Sequence, residues 1–132
     1  MKRILATLAL PALLSACIEG PEEVDGATFY ETNCAACHGP TGHGDGELAE
    51  GLPVPPADLT QLSAMNGGVF PRDQVMSYVD GYHRGGLYAE VMPEFGAGDL
   101  GPTVIVEDEA GVGTPVPAAL LAVANYLAGI QE

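Results

Sequence analysis

The chain has 132 residues, the size of one ordinary domain, and its 18 Asp and Glu residues against 4 Lys and Arg give it a net charge of −14. Binding to nucleic acid requires clustered cations that displace counterions, so this composition excludes a nucleic-acid-binding protein and argues against docking by charge on anionic lipid. With 18 glycines, 11 prolines and no tryptophan, the chain has little bulk for a core, and a disulfide, metal or cofactor is the expected supplement.

The first 24 residues have the layout of an export signal followed by a linker. Lys2 and Arg3 precede the apolar run from Ile4 to Leu14, whose 11 residues are too few for a bilayer core that takes about 20. We therefore predict a signal peptide over residues 1–16, a polar tether over 17–24 and one domain over 25–132. Removal of the signal leaves 18 acidic residues against only two arginines, Arg72 and Arg84.

The end of the predicted signal, Leu14-Ser15-Ala16-Cys17, resembles the lipobox of bacterial lipoproteins. In that class the cysteine is acylated and the chain is cut just before it, which implies lipidation at Cys17. The resemblance implies a lipid anchor on the periplasmic side of a bacterial membrane, with the outer membrane favoured. An ordinary signal-peptidase site with an incidental cysteine is the alternative, and it implies a soluble periplasmic protein.

The first half of the domain predicts short helices separated by a long loop. Asp25 is a candidate N-cap for a helix through Ala36, with Ala27, Tyr30 and Cys34 near one face. Residues 39–56 are rich in glycine and proline and predict a loop. A short helix is predicted from Asp58 to about residue 67, and another from Pro71 through Tyr82. The apolar face of the second is made by Val75, Tyr78, Val79 and Tyr82.

The second half predicts a loop, a possible hairpin and a final helix. Residues 85–101 predict a loop, and residues 103–106 predict a strand that returns at about 112–116. The acidic run 107–109 between them is interpreted as a solvated turn, with a docking patch as the alternative. The last helix is predicted to start at Pro117 and to close at Gly129, with an apolar stripe made by Leu120, Val123, Ala124 and Leu127.

Cys34-Ala35-Ala36-Cys37-His38 is a C-x-x-C-H motif at the end of the first predicted helix. Two thiols at this spacing can add across the two vinyl groups of a porphyrin while the next imidazole coordinates its iron. The motif therefore predicts one covalent haem c on Cys34 and Cys37, with His38 as an iron ligand. A redox-active C-x-x-C pair would need a βαβ context, and a zinc site would need a second pair of ligands.

The sixth iron ligand has five candidates: His43, His83, Met65, Met76 and Met92. His43 follows His38 on a short loop, which keeps it on the His38 side of the haem ring. The sixth ligand must bind the iron from the opposite side. Met65 and Met76 fall in predicted helices, where methionine most often fills core. Pro93 biases Met92 toward extended geometry on a rigid loop, so Met92 is the predicted ligand, with His83 next.

From Gly26 onward the chain resembles a small bacterial class I c-type cytochrome. Gly26, Tyr30 and Cys34 have that family's spacing, in which the glycine and the aromatic residue pack across the last helix, here against Tyr126. The glycines after His38 and the segment Met92-Pro93-Glu94-Phe95 are similar to the family's glycine-rich run and ligand loop. The resemblance implies an all-α fold of helices around one covalently attached haem, with a possible small β-hairpin at about residues 103–116.

The resemblance also implies roles for individual residues. Pro56-Ala57-Asp58-Leu59 is similar to the segment whose proline carbonyl accepts the axial histidine's hydrogen bond and whose leucine packs on the ring. Pro56 and Leu59 therefore join the predicted haem site. Arg84 is interpreted either as the partner of a haem propionate or as a solvated surface residue. The predicted hairpin lengthens the family's usual connection, and would cover a haem edge or contact a partner.

A haem with two protein ligands has no open coordination site, which predicts one-electron carriage and not enzymatic catalysis. We expect a protein donor and a protein acceptor with basic or neutral docking surfaces, because the lysine ring of the basic cytochromes is absent. Two alternatives remain open. The chain could be a haem c subunit of a periplasmic dehydrogenase or terminal oxidase complex, or a haem-based gas sensor from which Met92 detaches.

Overall fold

A computed structural model describes residues 23–82, 91–107 and 110–132. The predicted signal peptide, Cys17, most of the tether, His83, Arg84 and the tip of the acidic run lie outside these residues. The described part contains five α-helices and two strands: α1 Gly26–Asn33, α2 Ala35–His38, α3 Leu62–Met65, α4 Arg72–Asp80, β1 Thr103–Glu107, β2 Gly113–Pro117 and α5 Ala118–Gly129. Two 3-10 turns, Ala49–Gly51 and Leu59–Gln61, complete the order.

The first predicted helix is two helices in the structure. Asp25 is the N-cap of α1, as predicted, and its carboxylate accepts from the backbone N–H groups of Ala27 and Thr28. The prediction of one helix through Ala36 is wrong, because Cys34 has φ −120° and ψ −37°, which breaks the helical path. The second helix, α2, then carries Cys37 and His38.

The glycine-rich loop after His38 is pinned to α2 by backbone hydrogen bonds. The N–H groups of Gly44, Gly46 and Leu48 donate to the carbonyls of His38, Cys37 and Ala36 in turn, at 2.8, 3.1 and 2.9 Å. A Cβ on Gly46 would collide with the Ala36 carbonyl, so the close return of this loop requires glycine. These contacts hold the loop closely against α2.

The helix predicted from Pro71 ends earlier than its apolar pattern suggests. Val75 and Val79 are buried on the inner face of α4, as predicted. Gly81, at φ +103°, adopts the left-handed conformation that ends α4 after Asp80. Tyr82 consequently leaves the helical face and is 80% exposed, which corrects its predicted place in the apolar stripe.

The hairpin predicted before the last helix is confirmed. β1 and β2 form a two-stranded antiparallel sheet with Val104 opposite Val116 and Val106 opposite Thr114. The sequence predicts Pro117 in the first turn of α5. In the structure it is the N-cap, one position before that turn. Within the described residues, no helix is long and apolar enough to cross a membrane.

The core lies where α5 meets α1 and α4. The predicted stripe of α5 is buried, and it packs with Tyr30 of α1 and with Val75, Met76 and Val79 of α4. The rings of Tyr30 and Tyr126 lie 5.0 Å apart, and a Cβ on Gly26 would collide with the Ala122 carbonyl. The expected close crossing of the first and last helices is therefore present. Ala27, predicted on this face, is exposed because Gly26 and Tyr30 define the crossing instead.

Candidate haem site

A cavity of about 440 Å³ opens beside α2 and is enclosed by α4, α5 and the loops before and after α4. Its volume lies within the range of ligand pockets, roughly 300–1,000 Å³. The two thiols and the imidazole of the C-x-x-C-H motif line one part, and Met92 lines another. Half of the other lining residues are leucine or valine: Leu52, Val54, Leu59, Leu62, Val75, Val79, Val91, Val123 and Leu127.

His38 is oriented by a backbone carbonyl on the next segment of the chain. Its Nδ1 lies 2.9 Å from the carbonyl oxygen of Ala57, and since a carbonyl can only accept, Nδ1 carries the proton. This hydrogen bond leaves Nε2 as the nitrogen with a free lone pair, which is the form that binds a metal.

The expectation that Pro56 supplies this carbonyl is wrong. The oxygen of Pro56 lies against the loop after His38, where a Cβ on Gly44 would stand 2.5 Å from it. Ala57, one residue further along, therefore provides the acceptor. Pro56 and Leu59 both line the cavity, so the structure places them next to the motif, while their role as contacts of a haem remains a prediction.

The segment after residue 91 is attached to the end of α4. The N–H of Phe95 donates to the Val79 carbonyl at 3.2 Å, and that of Gly96 donates to the Asp80 carbonyl at 2.9 Å. The ring of Phe95 also meets Phe29 of α1 edge-on, with centroids 5.9 Å apart. These contacts hold Met92 at the cavity wall, half-buried against the core.

The other described candidates for the sixth ligand lie elsewhere. Met76 is buried in the helical core, as predicted, and does not line the cavity. Met65 is 70% exposed, so its expected core position is wrong; it is the last residue of the short helix α3. His43 Nδ1 lies 3.0 Å from the Thr41 hydroxyl and its Nε2 lies 3.6 Å from Glu132. His83 and Arg84 fall outside the described residues.

Cys34 and Cys37 form no disulfide with each other, and both line the cavity. Burial, with a smaller contribution from the neighbouring Cys37, raises the pKa of the Cys34 thiol to about 11. At neutral pH this side chain is therefore a neutral thiol. Within the described residues, no group of three or more His, Cys, Asp or Glu side chains is arranged to hold a metal ion.

The chemistry of this donor set fits a haem c. Two thiols at C-x-x-C spacing suit the two vinyl groups, while an imidazole and a thioether are the pair of axial ligands found in cytochromes c. The aliphatic wall suits an apolar macrocycle. All four side chains line the same cavity, although they come from the junction between α1 and α2, from α2 itself and from a loop more than fifty residues away in sequence.

The comparison with protein-family models agrees with this site. The family model described as cytochrome c matches residues 23–95, which is more than half of the chain. Neither the comparison with curated proteins nor that with solved structures finds a match. The chain belongs to the cytochrome c family, whose members bind haem c covalently and transfer electrons.

Two features of the site were not anticipated from sequence. No described residue of the hairpin lines the cavity, so the hairpin lies away from this part of the site. In addition, the side chain of Gln131, two residues past α5, reaches the segment that bears the Ala57 carbonyl. A single polar residue in a short terminal segment carries no periodic signal, and sequence patterns alone could not have identified this contact.

Proposed function

We propose that this chain is a mono-haem c-type cytochrome that carries single electrons between protein partners. Cys34 and Cys37 would hold the haem by thioethers, and His38 and Met92 would supply the two protein ligands of its iron. The observation that carries the proposal is that the C-x-x-C-H motif and Met92 line one cavity. Bound haem c supplies a one-electron couple between ferrous and ferric iron.

The chain's own residues adapt the site to this task. The hydrogen bond from His38 to Ala57 orients the imidazole, and the aliphatic wall keeps water away from the centre of the cavity. A methionine ligand favours reduced iron and raises the potential. The described residues thus support electron carriage with both axial positions filled by protein.

Separate substitutions of Met92, which lines the cavity, and of Met65, which is exposed, test the identity of the sixth iron ligand. The oxidised protein is expected to show a low-spin spectrum with a methionine-to-iron charge-transfer band. Met92→Ala should abolish that band and lower the potential, whereas Met65→Ala should change neither, because Met65 is exposed and outside the cavity. A high-spin spectrum of the unaltered protein, or prompt binding of carbon monoxide, would contradict the six-coordinate site and favour a gas sensor.

We further propose that the mature chain is lipid-anchored through Cys17 on the periplasmic side of a bacterial membrane, with the outer membrane favoured. The lipobox-like segment supports this anchor, and the strongly anionic composition supports partners with basic or neutral docking surfaces. Membrane extraction of the unaltered chain and of Cys17→Ser tests the anchor. The variant is expected in the soluble fraction, and a soluble unaltered chain would favour ordinary signal cleavage.

A second candidate is a haem c subunit of a periplasmic dehydrogenase or terminal oxidase complex. Ile105 on the hairpin is 64% exposed, and no described residue of the hairpin lines the cavity, which leaves an apolar residue available for contact with another subunit. Copurification from detergent-solubilised membranes distinguishes the two candidates. A stable complex that Ile105→Ser weakens would support the subunit, and isolation of the chain alone would support the free carrier.

A further inference from the structure

The side-chain amide of Gln131 ties the end of α5 to the segment that follows Ala57. Its Oε1 accepts from the Ser63 N–H at 2.8 Å, and its Nε2 donates to the carbonyls of Leu59 and Leu127 at 2.8 and 2.7 Å. Both amide protons and the amide oxygen are therefore in use. The contacts with Ser63 and Leu59 each join positions about 70 residues apart in sequence.

The segment held by Gln131 is the one that orients His38. Ala57 accepts the hydrogen bond from His38 Nδ1, and Leu59, two residues later, lines the cavity. On its other side, the Leu59 N–H donates to the Gly42 carbonyl at 2.7 Å. The backbone of Leu59 is thus fixed from both directions, by Gly42 through its N–H and by Gln131 through its carbonyl.

We infer that Gln131 is a positioning residue: it holds the Ala57–Ser63 segment against His38 and thereby sets the reduction potential of the site. The inference rests on the proposed function, since it requires His38 to be an iron ligand. A firm hydrogen bond at Nδ1 makes an imidazole a stronger electron donor, which stabilises ferric iron. Loosening the segment weakens this hydrogen bond, so ferrous iron becomes more stable relative to ferric iron and the reduction potential rises.

The experiment compares two substitutions at Gln131 with a control in the haem-loaded protein. Gln131→Ala removes all three hydrogen bonds. Gln131→Leu also removes them, but it keeps a side chain of similar size and adds no charge. Gln61→Ala is the control, because the Gln61 amide donates to the neighbouring Thr60 hydroxyl at 3.2 Å, a contact that stays within one segment of the chain.

Two quantities are measured: the midpoint potential, and the hydrogen-exchange rate of the His38 Nδ1 proton by NMR of the reduced protein. Both Gln131 variants should shift the reduction equilibrium toward ferrous iron by up to about tenfold, which for one electron is about 59 mV. They should also speed the His38 exchange. Direct partners of metal ligands typically change affinity or activity by ~10–100-fold, and a residue one contact further out should have less effect.

The outcomes separate this inference from the proposed function. If the Gln131 variants lose only thermal stability while the potential and the His38 exchange match those of Gln61→Ala, Gln131 is merely structural and the inference is wrong. If the unaltered protein lacks His38 ligation altogether, the proposed function fails first. Should Gln131→Ala not fold, Gln131→Leu still decides the question, because it retains most of the size of the side chain and adds no charge that would itself shift the potential.

Discussion

Tyr30 connects the first helix to the loop after the haem motif. Its side chain is buried, and its hydroxyl donates to the Gly39 carbonyl at 2.7 Å. Burial, supported by the nearby Cys34, raises the pKa of Tyr30 to about 12. Tyr30 therefore stabilises the crossing of α1 with α5 and also holds Gly39, the first residue after His38, in place.

Replacing Tyr30 with phenylalanine should cost about 0.5–1.5 kcal/mol in the free energy of unfolding, since the Gly39 carbonyl loses the Tyr30 hydroxyl but still accepts from the Gly42 N–H at 3.2 Å. Denaturant unfolding measures this loss. Tyr82→Phe is the matched control, because Tyr82 is mostly exposed and should cost little. Equal losses in the two variants would contradict the role of the Tyr30 hydroxyl.

The raised pKa of Tyr30 also predicts a dependence of stability on alkaline pH. The folded protein keeps the Tyr30 proton to about pH 12, whereas the unfolded chain releases it near pH 10. The contribution is therefore fully present below pH 10 and is lost as the pH rises through 12. Unfolding of the unaltered protein should become easier across this window, and Tyr30→Phe should flatten the slope.

At the scale of the secondary-structure elements, α1 and α5 can cross closely because Gly26 is a glycine and has no Cβ. Gly26→Ala should destabilise the protein by about 1–3 kcal/mol, because the new Cβ meets the Ala122 carbonyl. Gly129→Ala at the end of α5 meets nothing within 4 Å and should be neutral or stabilising by up to ~1 kcal/mol. Thermal unfolding of both variants checks the opposite signs.

The elements also show what the sequence could and could not predict. Capping by Asp25, the buried stripe of α5 and the hairpin were predictable, because each depends on local chemistry or on regular periodicity. The break at Cys34 and the choice of the Ala57 carbonyl were not, because both depend on how the following loop packs back onto α2. The contact of Gln131 joins positions too distant for any local pattern to indicate.

At the scale of the whole molecule, net charge governs how fast the protein encounters its redox partners. After removal of residues 1–16, the proposed mature chain has only Arg72 and Arg84 to offset 18 acidic residues. A field of one sign steers encounter with an oppositely charged partner and is screened by salt, with a Debye length of about 10 Å at 0.1 M.

Electron transfer to a basic redox protein should therefore slow by about tenfold or more as the ionic strength rises from low salt to physiological salt. Stopped-flow mixing at several salt concentrations measures this trend. A neutral small-molecule reductant serves as the control and should show little dependence on salt. A rate that increases with salt would indicate an acidic partner instead.

The central claim is that this chain holds one haem c covalently through Cys34 and Cys37. The most direct test is the intact mass of the denatured protein, compared with that of Cys34→Ala/Cys37→Ala. We predict that the unaltered chain retains the mass of one haem after denaturation, together with the lipid mass at Cys17, and that the double variant lacks the haem. A denatured chain with no added haem mass would contradict the account.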